Sequence, residues 1–286
     1  MDQKSIIIFV ATHVKCNPPA IPIYVPLHVG REGREDLGYV GDNIGKNISA
    51  LNYLYGELTG LYWISQNIQG MDYIGLCHYR RYFINEQKYP LNRQEYLSIL
   101  QDHDIIVPVH QQCDGAYYDY FCQFHNGKDL DAVGRALKKL YPDYADSYDR
   151  AMSGQRFFYG NLMVTSLDIL KDYADWLFHI FTEASKEIDV SGYDAYHKRV
   201  YGFLSEQMVL TYIMKNGLSY YEVPVGLSEQ KAETAMLIGQ LKDLLDRGKR
   251  AEAKSLLTDA LKKRPDLLAD NADTEGSLKK LFRDLH

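Results

Sequence analysis

An α/β fold with a central mixed sheet flanked by helices is what the 286-residue sequence predicts. Short apolar runs of strand length, Ser5–Thr12, Tyr73–Cys77 and Asp104–Pro108, recur along its first half. Stretches of helical period separate them. The middle run stops on a cationic-aromatic cluster, His78-Tyr79-Arg80-Arg81-Tyr82. An apolar strand ending in such a cluster suits an α/β sheet, whose ligands bind at strand carboxyl ends.

Ser5–Thr12 reads as a buried first strand because β-branched residues dominate it. It runs into His13, Lys15 and Cys16. Ile21–Val29 is a second extended stretch, which Pro22 and Pro26 demote to an edge strand or a loop. Gly41–Ser49 is dense in Gly, Asp and Asn and marks a turn. One helix is expected next, with Leu51, Leu54, Tyr55, Leu58, Leu61 and Tyr62 on a single face. Ser49 or Asn47 is its expected N-cap. Glu57 lies at the edge of that stripe, as a solvated residue or a partner for Arg80 or Arg81.

After Asp72–Phe83, a helix over Arg93–Gln101 leads to the strand Asp104–Pro108. Residues 110–156 are rich in Tyr, His and Asp, and hold an expected helix over Asp129–Tyr141. They read as a binding wall or a plain surface subdomain. Phe157–Ser166 is expected as a strand with Gly160-Asn161 in its middle, where Gly marks a bulge or close approach to a ligand. Ser166 should cap a long amphipathic helix. Ser205 should cap another, with Glu206 in its first turn. Leu218–Val225 is a last strand. From Glu229 the chain turns charged and helical, and its GKRAEAKSLLTDALKKRPDLL stretch is similar to half a tetratricopeptide unit. Half a unit cannot bury its own face, so packing on the core, a second subunit or a partner is expected. The resulting division is 1–228 and a helical extension, 229–286.

A net charge of −6 argues against a general nucleic-acid binder. Cys16, Cys77, Cys113 and Cys122 show no CxxC spacing, so neither a zinc site nor a redox motif is indicated. The N-terminus has too short an apolar run for a signal peptide, and no stretch reaches the ~18 apolar residues of a membrane span. A cytoplasmic location is the default expectation.

P-loop, Rossmann, zinc-protease and serine-hydrolase motifs are all absent. Arg80 and Arg81 form a fixed pair of guanidiniums suited to a diphosphate; a structural ion-pair network is the alternative. The Asp-x-Asp that metal-dependent sugar transferases carry after a central strand is missing there, since the DYD at Asp119 is not at a strand end. Fixed arginine charge in its place points to metal-independent neutralisation of a leaving diphosphate. Glu206 is a candidate general base, or merely a complement to a helix dipole. Asp42 and Asn43 could bind a base, ribose or sugar hydroxyl, or simply form the turn. His13 could bond a nucleotide, or be a satisfied strand-end histidine.

Six segments together carry a family likeness: Ala11-Thr12-His13; Gly41 to Ser49; Glu57 to Trp63; Gly75 to Phe83 with its HYRRYF; Asn161-Leu162-Met163; and Gly202 to Glu206. In order, over 5–226, they resemble a bacterial exopolysaccharide and capsule biosynthesis family associated with galactofuranosyltransferases. The chain departs from it at Gln207, where Arg is common, and at Ile44 and Lys46, where Thr and Asp are common. The resemblance implies a GT-A-like fold and a UDP-sugar donor, with UDP-galactofuranose the one expected. It implies inverting transfer to a lipid-linked glycan, with membrane association peripheral or through partners. Glu206 would be the base, and Arg80 and Arg81 would hold the diphosphate. His13, Asp42, Asn43 and Asn47 would line the nucleotide-sugar side, Asn161 would lie near the acceptor, and Glu57, His78 and Tyr79 would complete the substrate contacts. The competing reading is a catalytically inactive nucleotide-sugar-binding scaffold of a polysaccharide assembly complex.

Overall fold

The computed structural model describes residues 4–228, 232–263, 267 and 277–285. The chain divides into two units, Met1–Gly226 and Leu227–His286. The strands in chain order are β1 (Ile6–Thr12), β2 (Tyr24–His28), β3 (Val40–Gly41), β4 (Tyr73–His78), β5 (Arg81–Phe83), β6 (Ile105–Pro108), β7 (Gln111–Gln112), β8 (Arg156–Phe157), β9 (Met163–Ser166), β10 (Tyr220–Val223) and β11 (Val225–Leu227). The helices of the first unit are α1 (Asn52–Tyr55), α2 (Leu58–Asn67), α3 (Arg93–Ile99), α4 (Tyr117–Phe124), α5 (Gly127–Leu140), α6 (Ala145–Ser153), α7 (Leu167–Ala184), α8 (Val200–Leu204) and α9 (Met208–Asn216).

The main sheet runs β10-β6-β9-β4-β1-β2-β3, while β7 and β8 form a separate ribbon. β4, β1, β2 and β3 are mutually parallel, and β9 is antiparallel to β4 and β6. The carboxyl ends of β1, β2 and β4 therefore share one edge with the amino end of β9. Register places Ala11 beside His78 and Leu76 beside Met163.

Apolar residues alternate along β1 between two cores. Ile6, Ile8 and Val10 face one, with Tyr82, Phe83, Tyr96 and Val164. Phe9 and Ala11 face the other, among residues of α2, α5, α7 and α9. A strand covered on both faces reads as a continuous apolar run, which is why SIIIFVAT is so plain in the sequence. Gly75 sits at the centre of β4, where an added Cβ would lie 2.7 Å from both Ile8 Cδ1 and Val164 Cγ2.

Several elements differ from expectation, each for a local reason. The helix expected as one piece after Ser49 is a 3-10 turn, α1 and α2, because Gly56 breaks it at φ 55°, ψ −132°. Ile48 is the N-cap of that turn and makes no side-chain cap bond, while Asn47 Oδ1 accepts from Ser49 N–H at its start. Phe157–Ser166 is not one strand. Gly160 and Asn161 take φ values of 90° and 55°, and left-handed residues interrupt β8 and β9. Ser205 caps no helix start: it is the C-cap of α8, and Glu206 lies in the turn before α9. Ser166 does cap α7, accepting from Ile169 N–H. β2 lies inside the sheet despite Pro26, because β3 pairs only with Leu27 and His28.

The second unit holds α10 (Ala232–Asp246), α11 (Arg250–Lys263) and α12 (Ser277–Leu285). Leu237, Leu241, Ala253, Leu257, Leu278 and Leu281 bury themselves in one cluster. The third helix, beyond the half-repeat pattern, gives these helices an apolar core of their own, contrary to the expectation that they could not bury their face. Among the described residues no helix is long and apolar enough to cross a membrane.

Candidate active site

Many of the candidate residues lie along the shared edge of β1, β2, β4 and β9. β4 and β5 form a hairpin in which His78 pairs with Arg81, so Tyr79 and Arg80 are the two turn residues. Tyr79 N–H donates to Ala11 O at 3.1 Å, and its ring meets His13 edge-on, 5.5 Å between centroids. The turn is thereby fixed against the end of β1.

Three guanidiniums act electrostatically on His13. His13 is exposed, yet protein crowds its ring, and desolvation followed by the charges of Arg34, Arg80 and Arg199 holds its pKa below the usual imidazole range. These arginines come from the loop after β2, the β4–β5 turn and the residue before α8. Their recorded contacts are with uncharged groups: Arg80 lies over the Tyr79 ring, Arg199 over Tyr196 and Phe203, and Arg34 reaches Asn52 Oδ1. Positive charge with no carboxylate ion pair among the described residues suits an incoming anion.

Arg80 and Arg81 do not stack on the same ring. Arg81 lies over Tyr159 and close to Gly160, where an added Cβ would sit 3.4 Å from its Nη1. Gly160 N–H also donates to Glu206 Oε1 at 3.1 Å. Arg81 and Glu206 therefore meet at Gly160. Tyr117 and Tyr120 of α4 stand behind them: burial and the Glu206 carboxylate raise both phenols, Tyr120 to about 12.

The polar turn after β3 is a scaffold for the Arg34 loop. Asp42 is buried and accepts from Gly30 N–H, Arg31 N–H and the Ser49 hydroxyl. Asn47 donates to Asn43 O and Gly45 O. Asn43 Nδ2 reaches Glu32, while its Oδ1 is buried without a partner. His28, at the end of β2, is buried with Nδ1 unpartnered, and burial lowers its pKa against the opposing pull of Asp42.

Glu57 accepts from Asn161 Nδ2 at 2.8 Å, so its recorded partner is Asn161 rather than Arg80 or Arg81. Asn161 is buried and bonded wholly within the protein. Gln207, at the first departure from the family pattern, is buried too, donating to Ala151 O and Arg156 O. It serves as a core tie. Among the described residues no three His, Cys, Asp or Glu side chains form a group able to hold a metal ion.

The sequence alone does not point to Arg34 or Arg199, and it points to Ser205 only as a helix N-cap, whereas its hydroxyl donates to Asn161. Both arginines lie in loops of ordinary composition, and only the fold brings them to His13. The Arg199 signal was the aromatic spacing Tyr196…Phe203 around it, which pins a guanidinium by cation–π contact.

No curated protein matches the sequence. A solved structure does: WbbM, a bifunctional glycosyltransferase in its apo form, superposes with a TM-score of 0.74 at 28% identity over 78% of this chain. The match spans 45% of that protein, so this chain corresponds to less than half of its length. The likeness agrees with the GT-A-like fold expected from the HYRRYF segment and its companions. Residues 7–217 match a family described as a domain of unknown function (DUF4422), and the chain belongs to that family.

Proposed function

We propose that the protein is a glycosyltransferase that moves a hexose, galactofuranose, from a UDP-sugar to a glycan acceptor in bacterial surface polysaccharide biosynthesis. The observation that carries this reading is the β4–β5 turn, which sets Arg80 over the Tyr79 ring while that ring meets His13 at the carboxyl end of β1; the charges of Arg34 and Arg199 also act on His13. The hairpin that bears Arg80 also carries Arg81 to Gly160 and Glu206. Cationic cluster and carboxylate thus flank one hairpin, an arrangement that suits transfer from a sugar diphosphate. The likeness to a bifunctional glycosyltransferase supports it.

In this mechanism Glu206 takes the proton from an acceptor hydroxyl, whose oxygen attacks the anomeric carbon in line. The bond from that carbon to the diphosphate oxygen breaks, with inversion, through a transition state of oxocarbenium character. Negative charge grows on the departing UDP, and preorganised guanidiniums stabilise it where it develops. Arg80 and Arg81, joined by Arg34 and Arg199, take that role without a metal ion. His78 flanks the sugar, and Tyr79 and His13 the nucleotide. Asp42, Asn43 and Asn47 act by shaping the loop that presents Arg34. The acceptor is a lipid-linked glycan reached at the inner face of the membrane by peripheral association, and the C-terminal helices offer a surface for a partner or second subunit.

Incubation with UDP-galactofuranose and a panel of octyl glycosides tests the proposal. Release of UDP coupled to a new glycosidic bond, unchanged by EDTA, is the expected result. UDP binding without release in any mixture would leave only the scaffold reading.

A further inference from the structure

Beneath Gly160 lies a polar cluster that substrate contact does not explain. Asn161 is 5% exposed, and its amide is saturated from within. Nδ2 donates to Glu57 Oε1 at 2.8 Å and to Gly202 O at 2.9 Å; Oδ1 accepts from Ser205 Oγ at 2.8 Å. The Ser205 hydroxyl also lies 2.8 Å from Gly202 O. The backbone here is left-handed, φ 55° at Asn161 beside 90° at Gly160, a region that Asn tolerates better than most side-chain-bearing residues.

Two adjacent residues of this turn are bonded to two adjacent residues of the α8–α9 turn. Asn161 holds Ser205, and Gly160 N–H holds Glu206 Oε1 at 3.1 Å. Glu57, just ahead of α2, anchors the pair from a third element. Buried amides and hydroxyls satisfied on every side are rigid, because each lost bond would strand a polar group out of reach of water.

We propose that Asn161 is a positioning residue: with Ser205 it clamps the Gly160 turn to the α8–α9 turn and so fixes where the Glu206 carboxylate stands. The proposal rests on the glycosyl-transfer reading and replaces acceptor contact as the role of Asn161. A general base must sit within hydrogen-bond reach of the proton it removes. A displacement of about 1 Å in such a group can cost about 100-fold in rate.

Asn161→Gly tests this, since glycine accepts the same backbone angles and removes only the amide. Ser205→Ala removes one rung. Calorimetric titration with UDP counts folded, competent sites; UDP release from UDP-galactofuranose with an octyl glycoside gives turnover. Asn161→Gly is expected to bind UDP one to one with wild-type affinity and to lose about 100-fold in kcat. Ser205→Ala should lose about tenfold, as one hydrogen bond of the clamp. Turnover at the wild-type rate in either folded variant overturns the proposal. So does a fall in kcat matched by the loss of UDP-binding sites, which marks a structural role alone. If Asn161→Gly does not fold, Ser205→Ala decides. If wild-type protein releases no UDP, the parent reading falls by itself. The clamp is then judged by a crystal structure of Asn161→Gly: Glu206 departing from Gly160 N–H supports it, and Glu206 unmoved overturns it.

Discussion

His13 shows at the residue scale how the candidate site is charged. Its folded pKa is depressed by desolvation and by Arg34, Arg80 and Arg199, so the folded protein resists the proton that the unfolded chain accepts. Where the unfolded state binds more protons, stability rises with pH. His13 therefore costs stability as pH falls through the ordinary imidazole range, and so does His28. Melting temperatures at pH 7.5 and 5.5 check this: His13→Gln should show a smaller fall between them than the wild type. Glu206 gives a second test. Glu206→Gln keeps the shape and loses the base, so kcat should drop about 100-fold or more, the usual contribution of general-base catalysis, while UDP affinity is unchanged. Retained turnover would move the base elsewhere.

At the scale of elements, the strands were legible and the breaks between them were not. β1, β4 and β6 are apolar because both faces are covered, and that leaves a direct trace in the sequence. Breaks depend on dihedral angles that one residue sets. Gly56 splits a helix whose apolar period continues across it, and Gly160-Asn161 splits a strand whose composition continues across it. Glu206 was placed in a helix because Ser205 fits an N-cap; the hydroxyl is instead bonded to Asn161 from a distant element, which no local pattern signals. The Arg80–Arg81 hairpin was visible as a motif, but its split toward two different rings comes from strand pairing. Packing at the sheet centre yields a prediction of its own. Gly75→Ala puts a methyl 2.7 Å from Ile8 and Val164, and 3.1 Å from Met163 O. Overpacking of this kind costs about 1–3 kcal/mol, which urea denaturation would register as a lower midpoint; an unchanged midpoint would mean that the core can give way.

For the whole molecule, the sheet edge and every candidate site residue lie within Met1–Gly226, while α10 to α12 share an apolar core of their own. A fragment spanning 1–228 should therefore fold and bind UDP as the full chain does, checked by circular dichroism and calorimetry; loss of UDP binding would make the C-terminal helices part of the site. The central claim is that arginines led by Arg80, in the turn at the carboxyl end of β4, receive a nucleoside diphosphate. Calorimetric titration of UDP into the wild type and Arg80→Ala, with inorganic phosphate as competitor, addresses it most directly. The wild type should bind UDP far better than phosphate, and Arg80→Ala should bind it about 10- to 100-fold more weakly, the span of one charge-assisted hydrogen bond. UDP bound no better than phosphate, or bound equally by Arg80→Ala, would contradict the account.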